Sequence, residues 1–280
     1  MSQSTRSPIT RFTALLITSC IGSLLLPHRA TAYAPSLVNP EYADRTPYVA
    51  DLSFQAPRRL NLPYWRFGTF DRRCFISESI DSEVLRQAFV TVTPRLQEEG
   101  AAAMGRWDLS LEYTVSAHPT VFVHVPSLSE ATAMLSLQNE DATEELYSTE
   151  FELTGEEGVI GIKIPESSTP LAVEEKYVWQ MLVTGDCATG DSRFRLHISG
   201  WIERIAPTES LADIGQVPLR DRPALYAEAG IWQDTLSSLG NLMLQYPDDP
   251  DVRESWVSLM ESAYLPEFAQ SPLLYIHTDE

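Results

Sequence analysis

The sequence between Phe89 and Ile205 alternates apolar and polar residues with a period of two, the pattern of half-buried β-strands. Prolines and glycines separate the alternating segments, as expected for turns. The segments cover residues 109–115, 121–125, 133–137, 147–153, 160–164, 177–183 and 194–202. Seven short strands at this spacing predict a mainly β fold, an immunoglobulin-like or fibronectin-like antiparallel β-sandwich over residues 74–206.

The same alternation assigns faces to individual side chains. In the first strand Leu111 and Tyr113 fall on the apolar face, while Glu112 and Thr114 fall on the polar face. His124 and His197 occupy outward positions of two other predicted strands. Two such histidines form a metal or acid-base site only if their strands are adjacent; otherwise they are ordinary polar-face residues.

The hydrophobic period changes to three and four residues after Pro207, which predicts a helical C-terminal segment over 207–280. One helix runs from about Ala224 until Pro247 ends it, and a second begins near Asp251. Asp249 and Asp251 suit the positive end of that second helix. The pattern resembles the second half of a tetratricopeptide unit, and since a solenoid usually needs three repeats, we expect the helix pair to pack on the sandwich or on a partner.

Residues 1–32 have the composition of a secretory signal peptide: Arg6 and Arg11, an apolar run of about 15 residues, and Ala30-Thr31-Ala32. Cleavage near Ala32 predicts a periplasmic or extracellular protein. The alternative is a lipoprotein anchored at Cys20, because residues 17–20 resemble a lipobox. An exported chain keeps Cys74 and Cys187, which in an oxidising compartment indicate one disulfide; the alternative is two free thiols.

Residues 33–73 form a predicted linker with a proline-rich first part and little core, followed by an arginine and aromatic cluster. We select Arg58, Arg59, Trp65 and Arg66 from that cluster as candidate partner-binding residues. Contact with an anionic envelope surface or partner is one interpretation. Docking onto the protein's own acidic surface is the other.

The formal net charge of −19 disfavours nucleic acid as a partner. The sequence contains no GxSxG, HExxH, GxxxxGK[ST] or GxGxxG motif, so it nominates no catalytic residue, and it indicates no cofactor or metal. Carboxylate-rich runs such as 140–145 do not have the ligand spacing of an EF-hand. Calcium binding by one of these acidic loops is kept as an alternative.

Four segments carry a family resemblance: SAHPTVFVHVP at 116–126, PLAVEEKYVWQMLVTGD at 170–186, SGWIERI at 199–205 and YAEAGIWQDTLSSLGNL at 226–242. With them the chain resembles the cyanobacterial family called domain of unknown function 928, over roughly residues 74–265. The resemblance implies an exported protein with a glycine- and arginine-rich segment ahead of the domain, and it carries over no activity or catalytic residue. Here that segment is poorer in glycine and richer in aromatics.

These observations predict an exported envelope protein that is a non-enzymatic protein-interaction module, with another envelope protein as partner and possible peripheral contact with membrane or cell wall. Trp232 and Trp256 are further candidate partner-binding residues; the alternative is that they join the two helices. The alternative functions are a carbohydrate- or calcium-binding module, or a hydrolase with an unrecognised site.

Overall fold

The computed structural model describes residues 52–55, 89–95, 111–128, 130–186 and 193–279, all within the compact unit Val38–Glu280. Nine strands occur in these residues. They are β1 (Val90–Thr91), β2 (Glu112–Thr114), β3 (Thr120–Val125), β4 (Ala131–Asn139), β5 (Glu145–Glu152), β6 (Gly158–Lys163), β7 (Glu175–Asp186), β8 (Arg193–Arg204) and β9 (Leu273–His277). The chain is therefore mainly β, as predicted.

The strands form two sheets, one of four strands in the order β1-β3-β6-β9 and one of five in the order β2-β8-β7-β4-β5. Most pairs are antiparallel, but β2 runs parallel to β8 and β9 runs parallel to β6. The prediction of a wholly antiparallel arrangement is therefore wrong at these two pairs. Both parallel partners are reached across long intervening segments, as parallel pairing requires.

Three α-helices lie between β8 and β9 in the described part of the chain: α1 (Arg222–Glu228), α2 (Trp232–Gln245) and α3 (Pro250–Ser262). The sequence predicts one helix where α1 and α2 are separate. They part at Gly230, which has a φ of 73° that a side chain with Cβ disfavours. Asp249 caps α3, as its acidic start predicts, because its carboxylate accepts a hydrogen bond from the Asp251 amide.

Two hydrophobic clusters show how the layers stack. The first lies between the sheets and includes Val121, Val123, Leu135, Ile160 and Trp179. The second joins the four-stranded sheet to the helices and includes Phe122, Val159, Leu236, Leu239 and Trp256. All six residues of β3 are buried because this sheet has a layer on each face.

Two segments depart from the sequence prediction. Leu52 and Phe54 are buried in the helical cluster, although residues 33–57 are predicted to offer little core. The Phe54 ring meets Trp232 edge-on at 4.8 Å, and its amide donates to the Ser262 hydroxyl. Strand β9 lies within the predicted helical segment 207–280 and returns the chain to the four-stranded sheet.

Candidate functional site

Most of the residues selected from the sequence lie outside the described part of the chain. They are Cys74, Cys187, Arg58, Arg59, Trp65 and Arg66. The disulfide and the arginine-aromatic cluster therefore stay predictions.

Trp232 and Trp256 are core residues. Each side chain is 1% exposed, so neither offers a surface to a partner, and their selection as partner-binding residues is corrected on that ground. The Trp232 indole N–H donates to the Val92 carbonyl at 2.7 Å, and that of Trp256 donates to the Phe268 carbonyl at 3.1 Å. Their position agrees with the alternative interpretation, in which they hold the helices in place.

His124 and His197 do not form a site. His124 lies on β3 in the four-stranded sheet, whereas His197 lies on β8 in the five-stranded sheet. His124 is also not on a solvent-facing surface as predicted, since it is buried and stacks on Phe268 at 5.0 Å. His197 pairs with the Gln180 side chain at 3.1 Å on the outer face of its sheet.

A pocket of about 220 Å³ opens on the surface of the helical layer, beside α1 and α2. Its lining combines charged, hydroxyl, amide and apolar side chains. We call this surface the helical groove and define it by Leu219, Arg222, Tyr226, Asp234, Ser237 and Asn241. A pocket of this size is large enough for one side chain or one small ring.

Asp234 forms the inner wall of the helical groove and ties it to strand β2. Its carboxylate accepts hydrogen bonds from the Thr114 hydroxyl at 2.7 Å and the Val115 amide at 3.1 Å. Burial raises the pKa of Asp234, while these two bonds and the charge of Lys163 act against the rise. The pKa of Lys163 is lowered, chiefly by burial, and its ammonium donates to the His118 carbonyl at 2.5 Å.

Opposite charges flank the Tyr226 hydroxyl in the same groove. Burial raises the pKa of Tyr226, the charge of Asp234 raises it further, and the charge of Arg222 lowers it. The Arg222 guanidinium donates to the Val217 and Gly215 carbonyls, both at 2.9 Å, which fixes its position at the groove. The groove thus holds one acidic residue, Asp234, and one basic residue, Arg222, at its polar surface.

Exposed apolar side chains stand beside the groove. Leu219 is 55% exposed and Tyr246, which follows the lining residue Gln245, is 40% exposed. Arg220, next to Leu219 in the sequence, lies over the Tyr246 ring at 4.9 Å and pairs with Asp249 at 2.5 Å. Leu219 gives the groove an exposed apolar edge.

Glu112 is a buried carboxyl that sequence reasoning places on the wrong face. It begins β2, is 2% exposed, and contacts the Thr93 hydroxyl and the Gln233 carboxamide. Burial raises its pKa to about 8, and the hydrogen bond from Thr93 acts against the rise. The alternation predicts a solvent-facing Glu112 because no local signal shows that helix α2 covers this face.

In the part of the chain that the structure describes, no group of three or more His, Cys, Asp or Glu side chains converges to hold a metal ion. Over the same residues, no helix is long and apolar enough to cross a membrane.

Comparison with known proteins bears on the family. No curated protein matches the chain. A family model described as Domain of Unknown Function (DUF928) matches residues 80–273, which is more than half of the sequence and covers strands β1 to β8 and all three described α-helices. The chain belongs to this family, DUF928.

Proposed function

We propose that the protein is a non-enzymatic binding protein of the cell envelope, exported by its N-terminal segment, which holds a partner protein at the helical groove. The observation that carries this proposal is the 55% exposed Leu219 beside a pocket that contains Asp234. An exposed apolar side chain next to fixed polar groups is the usual composition of a recognition surface.

The charge of the chain favours a basic partner. A net charge of −19 attracts positively charged surfaces over long range and increases their rate of encounter. The groove then takes one side chain, with Leu219 supporting its apolar part. We therefore propose that the partner is an envelope protein with a net positive docking surface. As secondary contacts, we propose that the segment from Arg58 to Arg66 also binds the partner and that the protein touches the membrane or cell wall peripherally.

The finer description of the fold belongs to the same proposal. Two sheets with a shared core support an immunoglobulin-like or fibronectin-like sandwich, modified by parallel partners at two edges. Helices α2 and α3, with Trp232 and Trp256 in their common core, support a tetratricopeptide-like pair. Of these two parts, the helical layer is the one that we assign to partner binding.

The test compares two single substitutions of similarly exposed apolar residues. Leu219→Asp changes the rim of the groove, and Met134→Asp, at a residue that is 42% exposed on β4, changes a distant sheet surface. Each variant carries a C-terminal affinity tag and is cross-linked in native envelope extract to identify the partner. The partner is then purified, and its affinity for each variant is measured by calorimetry. We expect at least a tenfold loss of affinity with Leu219→Asp and no change with Met134→Asp. Equal affinity for both variants, or a clean monomer with no partner, would overturn the proposal.

Carbohydrate binding is the second candidate, favoured by the mixed chemistry of the groove. Asp234 and Arg222 oppose each other in charge, so an ionic ligand of either sign meets one repulsive group. A neutral hydroxylated ring avoids that repulsion and can both donate to and accept from the Ser237 and Asn241 side chains. Binding must raise the thermal midpoint, so an unchanged midpoint with wall-glycan fragments, and with calcium for the ion-binding alternative, would exclude this candidate.

A hydrolase is the weakest of the three proposals. It needs an acidic or basic group that substrate can reach. Glu112 has the raised pKa of a general acid, but it is buried and is not part of the groove lining. Asp234 does line the groove, but its carboxylate already accepts hydrogen bonds from the Thr114 hydroxyl and the Val115 amide.

A further inference from the structure

Strand β2 and the first turn of helix α2 are joined by two side-chain ties. Glu112 and Thr114 point to the same side of β2, since they are two residues apart. Glu112 contacts Gln233, and Thr114 donates to Asp234, the next residue of the helix. The turn that places Asp234 in the helical groove is therefore held at two adjacent points.

The Glu112 tie is enclosed and consists of uncharged partners. Thr93, Glu112 and Gln233 are all among the buried polar residues. The Thr93 hydroxyl contacts one carboxyl oxygen and the Gln233 Nε2 contacts the other. The Gln233 Oε1 is also buried and has no hydrogen-bond partner among the described residues. Among the described residues, a charged carboxylate in this position would have two neutral donors as its only hydrogen-bond partners.

The charged groups on the elements around Glu112 are engaged elsewhere. Arg204 of β8 donates to the Val115 and Leu171 carbonyls, and Arg95, beyond Thr93, pairs with Glu267. The others are Glu203 of β8, which raises the pKa of Tyr113, and Asp234 of α2, whose charge is offset by Lys163. No described residue gives Glu112 a cationic partner, and because a buried carboxylate without one is costly, the neutral acid is the stable form here.

We propose that Glu112 is a carboxylic acid in the native protein, that it donates its proton to the Thr93 hydroxyl while accepting from Gln233, and that its ionisation loosens the first turn of α2. A hydroxyl both donates and accepts, so Thr93 can accept from the neutral acid. On ionisation the buried charge, and not a lost hydrogen bond, is what disfavours the closed contact. The pair Glu112–Gln233 is then a proton-dependent tie between the sheet and the helical layer.

The tie has a consequence for the helical groove, and this part rests on the proposed function. Gln233 and Asp234 are consecutive, so movement of one displaces the other from the groove wall. Partner affinity should therefore fall as the pH rises through the midpoint of Glu112, which burial places at about 8. Acidification would leave the tie in place.

The sign of the stability effect follows from the two midpoints. In the unfolded chain Glu112 ionises with its ordinary pKa of 4.5, and in the folded chain burial raises that pKa to about 8. Between these values the unfolded chain binds fewer protons, so the contribution of Glu112 to stability falls as the pH rises, and it is constant above about 8. With a raised carboxyl pKa the stability of the fold therefore decreases with pH, whereas with a salt-bridged carboxylate it increases.

The test measures the unfolding equilibrium of the wild-type chain and of Glu112→Gln from pH 5 to 9. The unfolding constant of the wild-type chain divided by that of Glu112→Gln should rise about tenfold per pH unit up to pH 8 and then level off. Glu150→Gln, at an exposed position of β5, is the control and should give a ratio independent of pH. A flat ratio for Glu112→Gln would overturn the proposal.

Two further measurements on the wild-type chain do not depend on the variant's folding. The carboxyl carbon of ¹³C-labelled Glu112 should titrate with a midpoint near 8, and a midpoint in the ordinary range near 4.5 would overturn the proposal. Amide exchange of Asp234 and Thr235, corrected for intrinsic rate, should quicken between pH 6 and 9. Exchange that stays unchanged would overturn the loosening, whatever the outcome of the partner experiments.

Discussion

The indole ring of Trp179 occupies the space above the Cα of Gly200, its direct partner on the neighbouring strand. A Cβ at position 200 would lie 2.5 Å from the indole Cε2 and Nε1 atoms. Trp179 is fully buried between the two sheets, so its ring has no free volume into which to retreat. The glycine at position 200 is therefore required by the packing of the Trp179 indole.

We expect Gly200→Ala to destabilise the protein by about 1 to 3 kcal/mol, because the new methyl group forces the Trp179 indole off its rotamer. Gly215→Ala is the matched control, since a Cβ there meets no atom within 4 Å. Urea unfolding of both variants measures the difference. Equal stabilities of the two variants would show that the Trp179 indole can shift to accommodate the methyl group without loss of stability.

The buried Phe54 makes a second prediction, on the part of the chain that enters the helical core. Phe54→Ala removes the edge-on contact with Trp232 and leaves a cavity, so we expect a loss of about 3 kcal/mol in unfolding free energy. Val173→Ala, at a 42% exposed position, should change stability by less than about 0.5 kcal/mol. A neutral Phe54→Ala would mean that residues 52–55 add nothing to the core.

The sequence predicts the number and type of the main elements well, because period-two and helical alternation depend on burial of one face. All seven predicted strands have a counterpart in the structure, as do both predicted helical regions. What alternation cannot show is a second covering layer. His124, Glu112 and Thr114 are polar residues at outward positions, and they are buried because the helices lie against these faces.

The segments missed by the sequence prediction lack a pattern of their own. Leu52 and Phe54 stand in a proline-rich stretch, and their burial depends on contacts with residues about 180 positions away. Strand β9 is half-buried along its whole length, so it shows no alternation. The helical groove likewise joins Arg222, Asp234 and Asn241 from two helices whose packing is a tertiary property, which left no local signal for the site.

The start of helix α3 gives a prediction with a pH dependence. The Arg220 guanidinium, and next the Asp251 amide, hold the pKa of Asp249 below its ordinary value. A lowered pKa stabilises the folded chain above the ordinary Asp midpoint of 3.8, and this contribution is lost as the pH falls through the lowered value. Asp249→Ala should therefore lower the thermal midpoint at pH 7 and change it little at pH 2.

The control for that substitution is Asp249→Asn, which keeps an oxygen acceptor for the Asp251 amide but loses the charge. Its thermal midpoint should lie between those of the wild-type chain and Asp249→Ala. If Asn and Ala gave the same midpoint, the cap would contribute nothing and the ion pair with Arg220 would be the sole source of the effect.

Cys74 and Cys187, which lie outside the described residues, give the last prediction. If they form a disulfide, it closes a loop of about 114 residues and should stabilise the chain by about 4 to 5 kcal/mol in the chain-entropy model. Cys74→Ser and Cys187→Ser should then destabilise equally, and the double variant should lose little more, because either change alone removes the bridge. Urea unfolding under oxidising conditions measures all three. Losses that add in the double variant would mean that two independent thiols stabilise the chain and that no bridge exists.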